Sequence, residues 1–452
     1  MRWIILLLFF LLFCGSCRKL LDPGDPVDGG TSGTVYQSDA SAAAVLTGLF
    51  YNMSNDGAFM GAEGLSYLCG LSADEFLLQQ EDELSLDMYK NQVTPNTVPI
   101  WRLLYKYIYQ ANAAIEGLTA STRLTPAIRQ QLTGEAMFVR AFCYFYLVNL
   151  FDEVPLVTGT DYKVNATMRR TPVVKVYERI QQDLEDAVTL LRTDYVQADI
   201  LSTTPERVRP NKWAATALLA RVHLYRNNWQ AAITAATAII DNKAVYDTVP
   251  LSKVFLKNSK EAIWQIQPVN KTFTEDAMLF IQQLPVFAAQ TFMQIFEKDD
   301  LRKQYWLAGV SDRYPYKYKA ADATKPVTEY LMVLRLAEQY LIRAEARLHS
   351  ADKDGALKDL MVVRQRAGLP VPRINGAGPI DDAIQHERQV ELFSEWGHRW
   401  LDLKRTHKVN NVMKAATAAK GGNWKAYQQW YPIPRSEMLL NPNLTQNEGY
   451  QE

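Results

Sequence analysis

Three kinds of residue in this sequence could do chemistry: carboxylates in close pairs, a histidine beside a glutamate, and aromatic rings crowded into loops. Asp74-Glu75 and Glu81-Asp82-Glu83 offer the carboxyl groups a glycoside hydrolase needs on either side of a glycosidic bond. Adjacency in sequence sets no such separation, however, and acidic loop clusters are ordinarily solvated. His386-Glu387 opens a zinc-helix pattern whose second histidine would stand at position 390, and that residue is Val390. His398 and His407 have no cysteine nucleophile nearby in sequence. No phosphate-binding loop, nucleophile elbow or dinucleotide fingerprint occurs. No catalytic residue, metal ligand or cofactor site is therefore assigned.

The aromatic residues point to binding. The chain has 10 Trp, 23 Tyr and 17 Phe, several of them in loops. The segment from Tyr305-Trp306 to Tyr314-Pro315-Tyr316-Lys317-Tyr318 carries five large rings beside Asp312 and Arg313. Aromatic faces stack on the C–H faces of sugars while polar side chains reach the hydroxyls. Tyr305, Trp306, Tyr314, Tyr316 and Tyr318 are accordingly candidate ligand contacts, with Pro315 restricting the backbone between them. The loop 79–98 adds Tyr89 and Asn91, accompanied by Gln79, Gln80 and Asp82. Trp424, Tyr427 and Trp430 form a third set. The competing expectation for each ring is that it fills space beneath its loop.

One further reactive position is Cys17. Arg2 precedes an apolar run from Trp3 to Phe13, then Cys14-Gly15-Ser16-Cys17. Eleven apolar residues are too few to span a bilayer of roughly 30 Å but suit the core of a signal peptide. Small residues just before Cys17 resemble a bacterial lipoprotein signal, cleaved after residue 16 with Cys17 acylated, with Cys14 standing where an aliphatic residue is usual; an ordinary cleaved secretory signal with an incidental cysteine is the alternative. Residues 17–37, rich in Asp, Pro and Gly, read as the tether.

The elements that must position these residues are helices. Ser38-Asp39 caps a segment over 40–53, Pro126 starts a helix running to about 150, and helical spacing recurs over 100–118, 172–192, 210–226, 229–241, 328–349, 353–367, 380–396 and 398–408. Leu334, Ala337, Leu341, Ala344 and Leu348 form one stripe, with Arg335 and Glu338 close enough to pair. Two pairs place small alanines across a short turn, Ala220 with Ala232 and Ala344 with Ala356, the spacing of tetratricopeptide hairpins. Strand candidates are Ala262–Gln267 and Val154–Val157. The long irregular stretches 54–98, 243–325 and 409–431 are where a rigid frame carries binding function.

Composition narrows the partners. With 49 basic and 49 acidic residues, the chain lacks the net positive charge of a general nucleic-acid binder. The four cysteines are too few and scattered for a disulfide scaffold.

Two C-terminal stretches are distinctive: Val333-Leu334-Arg335-Leu336-Ala337-Glu338-Gln339-Tyr340-Leu341 to Ala346, and Glu387-Arg388-Gln389-Val390-Glu391-Leu392-Phe393 to Arg405. With Arg366-Ala367-Gly368-Leu369-Pro370, the ending Tyr431-Pro432-Ile433-Pro434 and the early Glu135-Ala136 to Phe142, they closely resemble the SusD/RagB family of surface nutrient-binding lipoproteins. Trp396 departs from that pattern, which has glycine directly after the glutamate. The resemblance implies a mainly α SusD-like domain over 38–452, with an N-terminal region to about 241 and a C-terminal region from about 260. It implies a tetratricopeptide-like scaffold, no enzymatic activity and no cofactor. It further implies capture of oligosaccharide at the outer face of the outer membrane, over a SusC-like TonB-dependent transporter. Family ligand residues lie in variable loops, and none is carried over. A lipid-anchored glycoside hydrolase, a protein-only helical adaptor and a binder of peptide or another nutrient remain alternatives.

Overall fold

The computed structural model describes residues 32–57, 59–372 and 377–451; Cys17 and most of the expected tether lie outside them. The expected helical frame is present. Its centre is Pro126–Phe151, with Pro126 in the first turn and a run from Phe138 to Val148 buried on every side. A helix hydrophobic all round belongs inside, and this one packs between Ile100–Ala120 and Val173–Leu190. Phe142 sits 5.4 Å from Trp264 and 5.5 Å from Trp396, both near edge-on.

Two helical hairpins extend the frame, Lys212–Tyr225 with Trp229–Ile240 and Leu336–His349 with Lys353–Arg366. Ala220, Ala232, Ala344 and Ala356 are all fully buried at their crossings, so the small residues do what their spacing predicted.

The expected helix over 328–349 is a strand and then a helix. Strand β6, Leu331–Arg335, pairs antiparallel with strand β2, Ala262–Ile266, and both are buried along their whole length. Burial on both faces erases the alternation that marks a half-exposed strand, so the apolar run mimics a helical stripe. The helix 380–396 likewise ends early, at Glu391, because Ser394, Trp396 and Gly397 all take positive φ. Val154 makes only a single bridge, to Thr171.

Arg335 leaves from that strand, not from a helix, and so does not meet Glu338. Glu338 instead takes a two-pronged pair from Arg221 at 2.6 and 2.7 Å. Arg335 reaches Glu391 at 2.6 Å and Glu395 at 2.8 Å. Glu391 also accepts from Arg302 and Arg366, and Arg302 pairs with Asp300 and Glu387. Arg343 and Arg347 share Asp359. Buried ion pairs add little net stability, but losing one partner strands a charge. The network therefore fixes how segments 300–302, 335, 364–366 and 387–395 sit against each other.

Candidate functional site

A small ribbon of four short strands projects from this frame. Strand β1, Phe76–Leu78, pairs antiparallel with β3, Val286–Ala288, placing Leu77 opposite Phe287. Strands β4, Leu307–Ala308, and β5, Tyr314–Pro315, form a hairpin, and the Ala288 N–H donates to the Arg313 carbonyl at 2.6 Å. The period of two turns Phe76, Val286 and Ala288 inward, all buried. Leu77, 41% exposed, and Phe287, half-buried, face out.

Aromatic groups border both edges. Tyr314 and Tyr316 are half-buried, their rings 6.3 Å apart and nearly perpendicular. Lys319 lies 5.0 Å over Tyr316 and donates to the Tyr305 and Tyr316 carbonyls at 3.1 and 3.0 Å. Tyr305 is exposed. At the other edge Tyr89 is half-buried beside Leu78, with Lys420 4.9 Å over its ring. Gln79 and Gln80 are exposed, and their backbones donate to the Pro285 carbonyl. Four predicted residues thus keep a partly open ring next to the ribbon: Tyr305, Tyr314 and Tyr316 at one edge, joined through Lys319, and Tyr89 at the other.

Three others are placed elsewhere. Trp306 is 0% exposed; its indole N–H donates to the Leu251 carbonyl at 3.1 Å, and Lys317 covers it at 4.8 Å. Tyr318 is buried with its hydroxyl accepting the Met332 N–H at 2.9 Å. Asn91 is buried, bonded to the Ser72 carbonyl at 3.0 Å and to Thr417 at 2.7 Å, and its φ of +52° suits the left-handed tolerance of asparagine. None of the three presents a surface to a ligand. Ring density alone does not separate a stacking face from a core filler. The outward-facing Leu77 and Phe287, which the sequence reading does not single out, sit in strands three residues long, too short for alternation to show.

Asp74 and Asp82 are engaged structurally, whereas Glu75 Oε1 is buried without a hydrogen-bond partner among the described residues. Asp74 holds Arg399 through two bonds of 2.7 Å, which keeps its carboxyl below the usual range. Glu75 is buried, and desolvation with the neighbouring Asp74 charge lifts it to about 8. Burial lowers Lys420 to about 7 while it donates to the Leu71 and Ala73 carbonyls. Asp82 caps Glu83–Tyr89 through the Ser85 N–H at 2.9 Å. Glu297, His386 and Glu387 bring ligand atoms within 4.8 Å of one another, but both glutamates pair with Arg364 and His386 Nε2 lies 2.8 Å from the Ile295 carbonyl. Asp74 and Asp82 thus tie down the segments on either side of Phe76–Leu78, and the Glu297–His386–Glu387 group is held by Arg364 and the Ile295 carbonyl.

The sequence matches the profile of a SusD-like family, described as starch-binding and associating with the outer membrane, over residues 37–224, and that of the SusD family over 261–450. The chain belongs to the SusD/RagB family. A SusD-like protein of Formosa agariphila is 23% identical, with 99% of both chains covered. A SusD superfamily structure from Bacteroides vulgatus superposes with a TM-score of 0.80 at 19% identity, over 92% of this chain and all of the other. A structure described as a laminarin-binding SusD-like protein gives a TM-score of 0.72 at 21% identity, over 92% of this chain and all of that one. At such identities the structural likenesses establish a SusD fold. No helix among the described residues is long and apolar enough to cross a membrane.

Proposed function

We propose that this chain is a cell-surface glycan-binding lipoprotein of the SusD type. It captures oligosaccharide on the ribbon bordered by Tyr89, Tyr305, Tyr314 and Tyr316 and passes it to a SusC-like TonB-dependent transporter in the outer membrane. The observation that supports this reading is the pair of partly exposed rings Tyr314 and Tyr316, 6.3 Å apart on a ribbon whose other strands turn Leu77 and Phe287 outward. Apolar platforms with nearby amides suit the two-sided chemistry of a sugar ring. Engagement of the nearby carboxylates by arginine and helix caps supports binding over hydrolysis. A single SusD-like domain over 38–452, held through acylated Cys17 and the 17–37 tether, completes the reading.

Calorimetry against a glycan panel that includes laminarin and starch tests it. Tyr314→Ala and Tyr316→Ala should each weaken binding about five- to thirtyfold, since tenfold is about 1.4 kcal/mol and an aromatic contact is worth roughly that. Melting should be unchanged, and prolonged incubation should release no shorter products. Loss of neither affinity nor fold in both variants places the site elsewhere.

A further inference from the structure

We propose that the short helix Tyr162–Asn165, with the end of the helix Arg435–Leu440, is a lipid-facing patch that rests on the outer leaflet. The inference builds on the lipoprotein reading above and adds the surface that reading leaves unassigned. Large apolar side chains seldom stand free of the surface in a cluster. Here Tyr162 is 73% exposed, Val164 51%, Leu439 78% and Leu440 75%. The two segments adjoin: the Asn441 side chain donates to the Met168 carbonyl at 2.7 Å and that of Asn443 to the Thr167 carbonyl at 2.8 Å.

The place where the described chain begins selects the occupant. Tyr36 packs so closely on Gly117 that any side chain there would strike its ring, and its carbonyl accepts the Ser121 hydroxyl at 2.6 Å. On the same helix Glu116 accepts the Thr160 N–H at 2.9 Å and its hydroxyl at 2.6 Å. The start of the domain and the Tyr162 patch are therefore neighbours on one helix end. Fourteen residues lie between Cys17 and Ser32, a reach of at most roughly 50 Å. An acyl group on Cys17 thus enters the chain at this end of the domain and lets it come down onto the bilayer.

The charge fits an anionic lipid surface. Lys163, Arg169 and Arg435 are exposed beside the patch, and the nearby Asp161 caps the short helix through the Lys163 N–H at 2.9 Å. A tyrosine and aliphatic residues flanked by basic ones is the composition that settles at a lipid–water interface.

The test places the acylated full chain on vesicles of phosphatidylethanolamine and phosphatidylglycerol and follows amide exchange. Peptides covering 160–170 and 435–443 should exchange at least about threefold more slowly on vesicles than in detergent-free solution of the unacylated chain, other surfaces being unchanged. Tyr162→Ser combined with Val164→Ser should abolish that protection with unaltered melting, whereas Leu201→Ser, which changes an exposed leucine outside the patch, should not. An intact acyl mass with no protection overturns the patch assignment alone. Protection seen only when a co-purified barrel protein is present makes the patch a protein-docking surface and also overturns it. An unacylated native chain overturns the anchor reading itself, a result that mass measurement separates from the other two.

Discussion

Trp306→Ala distinguishes a ring that binds from a ring that holds the protein together. The indole is fully buried, donates to the Leu251 carbonyl, meets Phe255 edge-on at 5.6 Å and lies beneath Lys317. Truncating a buried tryptophan costs about 3–5 kcal/mol. The unmet Leu251 carbonyl adds about 1 kcal/mol where water cannot replace the donor. These terms overlap, since the cavity admits some relaxation, so a loss of about 4 kcal/mol is expected. Lys317 sharpens the effect: burial already lowers its ammonium to about 8, and removal of the ring takes away a favourable cation–π contact. Urea unfolding followed by tryptophan fluorescence and circular dichroism measures the change. Glycan affinity of the folded fraction should stay within about twofold of wild type, a difference well under 1.4 kcal/mol. A variant with the wild-type urea midpoint that no longer binds glycan would refute the burial argument and restore Trp306 as a ligand contact.

Glu391→Gln replaces the carboxylate shared by Arg302, Arg335 and Arg366 with a neutral amide and should cost about 3–5 kcal/mol in denaturant unfolding; a loss below about 1 kcal/mol would show that the arginines find other partners. Glu75 titrates at about 8 in the fold against 4.5 when free, so the native state holds the extra proton between those values and wild-type stability falls as pH rises from about 4.5 to 8. Unfolding of Glu75→Gln across that range should show a stability advantage over wild type that grows with pH and levels off above about 8; a pH-independent difference contradicts the shifted carboxyl. Trp396→Gly relieves a positive φ of 48° but empties a buried site and removes an indole bond of 2.6 Å to the Met332 carbonyl, for a net loss of about 2–4 kcal/mol, readable by calorimetric melting. Cys17→Ala should move the protein from the membrane to the soluble fraction, and unchanged fractionation with no loss of lipid mass would exclude the anchor.

The helical frame was legible because its signals are local: Pro126 at a helix start, alanines across two turns, and apolar stripes. The strand Leu331–Arg335 was not, because its register is set by Ala262–Ile266, some seventy residues away, and its burial on both faces leaves no period of two. The same separation decided the site. Tyr314 and Tyr316 stay at the surface, while Trp306 and Tyr318 of the same loop close over Phe255. Which side each ring takes depends on the hairpin Leu307–Pro315 and on Lys317 being drawn inward to the carbonyls of Glu391 and Phe393 at 2.9 and 2.7 Å. Glycine, which the family pattern places at 396, allows positive φ without penalty; tryptophan takes the same backbone here because its ring closes against Phe59, Phe142 and Tyr146.

Arg302 and Lys317 bracket the β4–β5 hairpin, and both are bolted to the same stretch, Glu391 through Glu395. Between the bolts the chain runs out to the surface and back, sending only Trp306 and Leu307 among its first residues into the interior. Such an arrangement behaves as a cassette. The outward part of 308–316 can lengthen, shorten or change its side chains while the two attachment points stay fixed, so the loop surface can vary without disturbing the frame that presents it. Under the function proposed above, swapping that tip between relatives should change glycan preference, whereas a graft whose junctions fall beyond Arg302 or Lys317 severs the bolts and puts the whole domain at risk.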